Sequence, residues 1–169
     1  MTKIINSSKA FQHKVKTLYD IEKQLENALP KMAEAAISPE LAEGFLAHLE
    51  ETVGHSERLE QIFELIDVAP EKHPGEAIRG LIMEASTIIN TEAPSAVKDA
   101  MLAGAGRTVE HYEMACYMNA IEEAEALGYV DVVVLLKDTL QEEQAADKLL
   151  VTALKKNLVT AAEEKEEME

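Results

Sequence analysis

The sequence predicts an all-α fold, an antiparallel four-helix bundle whose long crossover carries a fifth, shorter helix. Three observations predict it. Gly (7) and Pro (5) are few among 169 residues, so the chain is poor in turns and favours long helices over many short strands. Apolar residues recur at helical spacing over long stretches. Breaks fall so that the first and last pairs of long helices are joined by short loops, while the link between the pairs is about 27 residues long.

Each element follows from local signals. Ser7 or Ser8 can cap a first helix with the apolar face Phe11, Val15, Leu18, Ile21, Leu25, Leu29 and Met32. Pro30 lies inside it and predicts a kink. Ser38 as N-cap with Pro39 at the first helical position starts a second helix that runs to about Ile66. Its core positions read as Leu46, Leu49, Val53 and Ile62. "DVAPEKHPGE" is a turn region, followed by a shorter helix over about Glu76 to Ile89 and a break at "NTEAPS". A fourth helix runs from Pro94 or Ser95 to Leu127 and stops at Gly128. A fifth runs from about Val130 to Ala162. The β-branched run "DVVVLL" would have no strand partner and stays helical. Residues 1–162 therefore form one bundle and 163–169 an acidic tail without fixed structure. A long crossover between two hairpins is the topology of ferritin-like bundles.

Charge narrows the function. Lys plus Arg number 16 and Asp plus Glu 32, a net −16, of which the tail carries −4. A body at −12 argues against nucleic-acid and anionic-membrane partners and suits cations. The single cysteine, Cys116, cannot form an intrachain disulfide, which fits a reducing compartment. It reads as a small core residue rather than a nucleophile. No signal-peptide core and no run of 18 apolar residues is present, so the cytoplasm is expected. Gly-rich phosphate loops and Gly-x-Ser-x-Gly are absent.

The acids form an internal repeat. Glu22 is followed 29 residues later by Glu51, and Glu113 is followed 30 residues later by Glu143. His55 lies four residues after Glu51, and Asp147 four after Glu143. Residues at i and i+4 share a helix face. Two packed hairpins would bring these groups to one layer, where unpaired buried carboxylates demand cations or protons. Two divalent ions, Fe or Mn, suit an oxygen-rich shell with imidazole. Glu51 and Glu143 would bridge, with Glu22, His55, Glu113 and Asp147 terminal. His48 and His111 read as structural or exposed. Tyr19 and Tyr112 flank the layer and can serve its carboxylates as hydrogen-bond donors.

The stretches "LYDIEKQLENALPKMAEAA", "HLEETVGHSERLEQIFE", "VEHYEMACYMNAIEEAEALG" and "LLKDTLQEEQAADKLL" resemble the YciE/YciF family of ferritin-like bacterial stress proteins over about residues 5–160. The resemblance implies a ferritin-like bundle with an extra helix, a homodimer and a two-metal site. It departs from the wider ferritin-like pattern of Glu-x-x-His on two helices, since His55 is at i+4 and Asp147 stands where a second His is expected. Rubrerythrins are similar in carrying Glu-x-x-Glu on the third helix, which here would be Glu110 and Glu113. The expected function is a metal-binding stress-response protein with a dinuclear Fe or Mn site, linked to peroxide or oxygen. The alternative is a non-catalytic helical interaction module that has lost its metals.

Overall fold

A computed structural model describes the backbone of residues 4–168 and the side chains of residues 4–163. Five helices follow one another: α1 (Ser7–Ala35), α2 (Pro39–Leu65), α3 (Glu76–Ile89), α4 (Ser95–Leu127) and α5 (Val130–Met168). Most of the expected acidic tail lies outside the described side chains. No described helix is long and apolar enough to cross a bilayer.

Local chemistry sets the ends. Asn6, rather than Ser7 or Ser8, caps α1, its side chain accepting from Lys9 N at 2.9 Å. Pro30 sits on an exposed position and α1 runs unbroken through it. Ser38 caps α2 as expected, with Pro39 behind it. Gly128 ends α4 with φ 74°, a left-handed conformation that glycine adopts without a Cβ clash.

The four long helices form a ring in the order α1, α2, α5, α4, with α3 laid over α1 and α4. Cross-links give the directions. Tyr19 reaches Glu60, and Ser56 reaches Glu26, so α1 and α2 are antiparallel. Glu142 pairs with His55 and Lys156 with Glu40, so α2 and α5 are too. Lys14–Glu123 and Ser8–Tyr129 orient α1 against α4 in the same sense, and Arg107–Asp147 with Lys137–Glu125 orient α4 against α5. With every neighbouring pair antiparallel, α2 and α4 lie diagonally and run parallel. That arrangement requires the long crossover.

Two adjacent residues of α4 pin both connections. Asp99 is buried, and its carboxylate accepts from Ile37 N and Ser38 N at 2.7 Å each, fixing the α1–α2 turn. Lys98 is only 7% exposed, and its Nζ donates to the carbonyls of Ile88, Ile89 and Thr91 at 2.7 Å each. These carbonyls lie at and just beyond the C-terminal end of α3, where a cation complements the helix dipole. Lys98→Met keeps the stem and removes the donors. It is expected to cost about 2 kcal/mol by urea denaturation, with the far-UV spectrum unchanged.

The core stripe of α2 departs from expectation. The buried residues are Leu41, Phe45, His48, Thr52, His55, Ser56, Leu59, Ile62 and Phe63. Ile62 is in place and Leu49 packs partly against the core, but Leu46 is 48% and Val53 41% exposed. The true face lies one residue round the helix, because four of its central positions are polar. A stripe of His, Thr and Ser carries no hydrophobic signal, so the neighbouring Leu46–Leu49–Val53 row mimicked a core face.

Candidate metal centre

Six side chains meet in the middle of the ring: Glu22 from α1, His48 and His55 from α2, Glu110 and Glu113 from α4, and Glu143 from α5. They fall into two groups. His48, Glu110, Glu113 and Glu143 each bring one ligand atom to within 4.8 Å of the others, and so do Glu22, His55 and Glu143. Glu143 belongs to both. All six residues are buried.

Two carboxylates outside the cluster hold the imidazoles. Glu142 contacts His55 Nε2 at 2.8 Å and is itself gripped by both guanidinium nitrogens of Arg58, at 2.6 and 2.7 Å. His55 Nδ1 then faces inward, 3.1 Å from Glu143 and 3.5 Å from Glu22. Glu51 does the same for His48: its carboxylate is 3.2 Å from Nδ1, leaving Nε2 3.4 Å from Glu110 and 3.6 Å from Glu143. A carboxylate behind each imidazole is the usual device that fixes tautomer and ring orientation at metal sites.

The sequence placed Glu22, His55, Glu110, Glu113 and Glu143 in this layer, and the fold brings all five together. It does not bring Glu51 or Asp147. The Glu51 side chain is 43% exposed and touches only the outer nitrogen of His48. Asp147 points away to Arg107 Nε at 2.8 Å, with His111 at 3.3 Å. Conversely, His48 enters the cluster although its distance from His55 along the helix suggested otherwise; the two ring centroids are only 6.2 Å apart and both imidazoles reach Glu143. Tyr19 donates outward to Glu60, and half-buried Tyr112 lies beside Cys116. The tyrosine that serves the site is Tyr117, fully buried and donating to Glu22.

The ligand complement is informative. Ferritin-like dinuclear sites use four carboxylates and two imidazoles, with Glu-x-x-His on two helices. This chain supplies four carboxylates and two imidazoles by another route. Thr52 stands three residues before His55, and its buried hydroxyl donates to His48 O at 2.8 Å. Ala146 stands three residues after Glu143. The missing acid and imidazole are made up by Glu110 and His48, one turn along their helices.

Protonation reflects the crowding. Burial, then repulsion from Glu143, holds the carboxyls of Glu110 and Glu113 well above the usual range. Burial also raises Glu22, against the pull of His55. For His55 burial acts downward, but Glu143 and Glu22 outweigh it and lift the imidazole to about 10. Glu143 is the exception: burial would raise it, yet His55 and His48 keep it below the ordinary value. Burial likewise keeps Cys116 as a thiol.

Seven ligand atoms of this cluster are buried with no hydrogen-bond partner outside the cluster: Glu22 Oε2, His55 Nδ1, Glu110 Oε2, and both oxygens of Glu113 and of Glu143, with His55 Nδ1 facing Glu143 at 3.1 Å as an ion pair inside it. Native cores pair more than about 90% of buried polar groups, and two groups of ligand atoms so short of outside partners could each hold a metal ion. Four carboxylates carry −4 and two divalent cations +4, which balances with the imidazoles neutral. The residues fit a dinuclear centre in number, charge and donor type.

The comparisons agree with the fold. The profile of a family described as a domain of unknown function (DUF892) matches residues 6–163. Protein YciF of Escherichia coli (strain K12) is 40% identical over 156 residues, spanning 92% of this chain and 94% of that protein. The crystal structure of the E. coli stress protein YciF superimposes with a TM-score of 0.89, covering 92% of this chain and 98% of that one at 38% identity. YcfI, a proposed structural protein from Rhodopseudomonas palustris, gives a TM-score of 0.86 at 39% identity over 89% of this chain and 96% of its own. With the family profile matching nearly its whole length, the chain belongs to the DUF892 family.

Proposed function

We propose that this protein binds two divalent metal ions, Fe or Mn, in the carboxylate–histidine cluster and acts in stress response. The observation that carries this reading is the set of seven buried ligand atoms with no partner outside the cluster. Similarity to a stress protein supports the physiological part. Bound there, such a pair would supply redox chemistry toward oxygen or peroxide. The chain's part is to hold the ions and orient them. Glu143 spans both groups, Glu22 and His55 complete one, and His48, Glu110 and Glu113 the other.

The test is anaerobic reconstitution with Fe(II) and, separately, Mn(II), followed by mass-spectrometric metal counting. About two ions per chain are expected, after which peroxide consumption by the loaded protein decides whether there is turnover. No bound metal under either condition would sink the reading. Glu142→Ala frees the His55 ring without touching a ligand, and is expected to weaken metal binding about 10- to 100-fold, read by competition with a chelator.

A second reading is a non-catalytic helical module. Thr52 and Ala146 at two positions of the Glu-x-x-His pattern favour it, as does the structural role proposed for YcfI. A bundle that takes no metal would assign the chain to it. We also infer a homodimer in the cytoplasm; Met83 on α3 and Met118 on α4 are large apolar residues left exposed on the single chain. Sedimentation at a single-chain mass would remove that inference.

A further inference from the structure

A groove of about 240 Å³ lies between the N-terminal half of α1 and the connection from α2 to α3. Lys9, His13 and Lys16 line one side, and Glu71, Lys72 and His73 the other. The three α1 residues are spaced by four and three, so they share a helix face. The connection is held against that face, because His73 N donates to Lys16 O at 3.1 Å. The rings of His13 and His73 thereby come to 3.9 Å between centroids. Charge here runs against the rest of the molecule. The chain is −16 overall, yet the groove gathers three ammonium groups against one carboxylate. Lys16 pairs with Glu71. Lys9 donates to the neutral Gln12 amide at 2.8 Å, and among the described residues neither Lys9 nor Lys72 has a carboxylate partner. Burial holds the His13 imidazole below its ordinary value of 6.5, and His73 and Lys16 push the same way.

We propose that this groove binds a phosphoryl dianion, as a phosphomonoester or as free phosphate, with Lys9 and Lys72 as its counter-charges and the imidazole N–H groups of His13 and His73 as donors. Ammonium groups gathered without acids repel one another, and an anion between them turns repulsion into attraction. A phosphoryl group carries close to two negative charges and three strong acceptor oxygens. That matches two cations without acid partners and two ring donors, whereas a carboxylate brings half the charge. The groove is larger than one phosphate needs and falls just short of the usual small-molecule pocket, about 300 Å³, so it has room for a short organic body. A divalent cation is the other occupant that a histidine pair can take, and the ammonium groups around this pair repel it. The groove shares no residue with the metal cluster.

The experiment titrates the full chain, in chelator, with inorganic phosphate and with glycerol phosphate. The solution is held at about pH 7.5, where a monoester with a second pKa of about 6 is a dianion, and at constant ionic strength in chloride. The imidazole nitrogen resonances of His13 and His73 report binding. Both probes are expected to move the two rings to saturation, and chloride alone to leave them in place. Lys9 and Lys72 are exposed, so replacing them spares the core. Lys9→Gln with Lys72→Gln is expected to weaken binding about tenfold or more, and His73→Ala, read on His13, about tenfold. Lys137→Gln with Lys148→Gln removes the same charge elsewhere and is expected to leave the affinity unchanged. Tighter binding of glycerol phosphate identifies an ester as the ligand, and equal or weaker binding the free ion. The proposal is overturned if neither ring moves, or if the Lys9→Gln, Lys72→Gln protein binds as the wild type does. An equal loss in the Lys137→Gln, Lys148→Gln control overturns it too, as does zinc(II) moving both rings where phosphate does not. Since no residue is shared with the cluster, every one of these outcomes leaves the metal reading standing.

Discussion

Glu143→Gln is expected to bring the metal content of the reconstituted protein from about two ions per chain to near zero, with helix content unchanged. Glu143 is the one residue common to both ligand groups, and it is fully buried. The amide keeps the shape and removes one negative charge. The three remaining carboxylates then supply only −3 against +4, leaving a net charge in a closed, low-dielectric core. Breaking a buried charge pair costs about 3–5 kcal/mol, on the order of a hundredfold or more in affinity. Glu51→Gln is the contrasting variant. Its carboxylate is half exposed and reaches only the outer nitrogen of His48, and the Gln carbonyl can still accept from that nitrogen. Both ions are expected to remain. Retention of metal by Glu143→Gln, or its loss from Glu51→Gln alone, would show that the cluster is not where the ions sit.

The fold was largely legible because its signals are local. Ser38–Pro39 and Gly128 each punctuate the chain, and α3 and α4 fall at Glu76–Ile89 and Ser95–Leu127 as expected. The N-cap of α1 was displaced by one residue because Asn6, Ser7 and Ser8 are all competent caps and only the backbone geometry chooses. The site was harder. Counting acids at repeating intervals found Glu22, Glu113 and Glu143, since those lie on faces that are otherwise apolar. It faltered on α2, where the inward face is itself polar and Glu51 is one residue away from it. A stripe at spacings of three and four through Leu41, Phe45, His48, Thr52, His55, Leu59 and Ile62 was available in the sequence. It requires accepting two imidazoles and a threonine as core residues, which composition alone resists. Asp147 had no such excuse of periodicity; what removes it is Arg107, a partner on another helix that only the fold brings to 2.8 Å.

Metal-free and metal-loaded protein are expected to respond to pH with opposite slopes. In the metal-free bundle Glu22, Glu110 and Glu113 hold protons more tightly than they would in the unfolded chain, for which the ordinary value is 4.5. A native state that binds more protons than the unfolded one loses stability as pH rises. The contribution of these three is complete below about pH 4.5 and decays as pH climbs through their native values. His55, raised to about 10, adds a second decline that begins above 6.5. Glu143 and Glu142 are lowered, so their contribution is present above 4.5 and fails only in acid. Each group contributes up to about 1.4 kcal/mol per pH unit across its window. Thermal unfolding in chelator should therefore show a melting temperature that falls between pH 5 and 8. With Mn(II) in excess the same carboxyls must be deprotonated to bind, so binding releases protons and strengthens as pH rises. The gap between the two melting curves should then widen steadily from pH 5 to 8. A metal-free melting temperature that is flat or rising over that range would mean that the cluster's carboxylates are solvated rather than buried and short of partners.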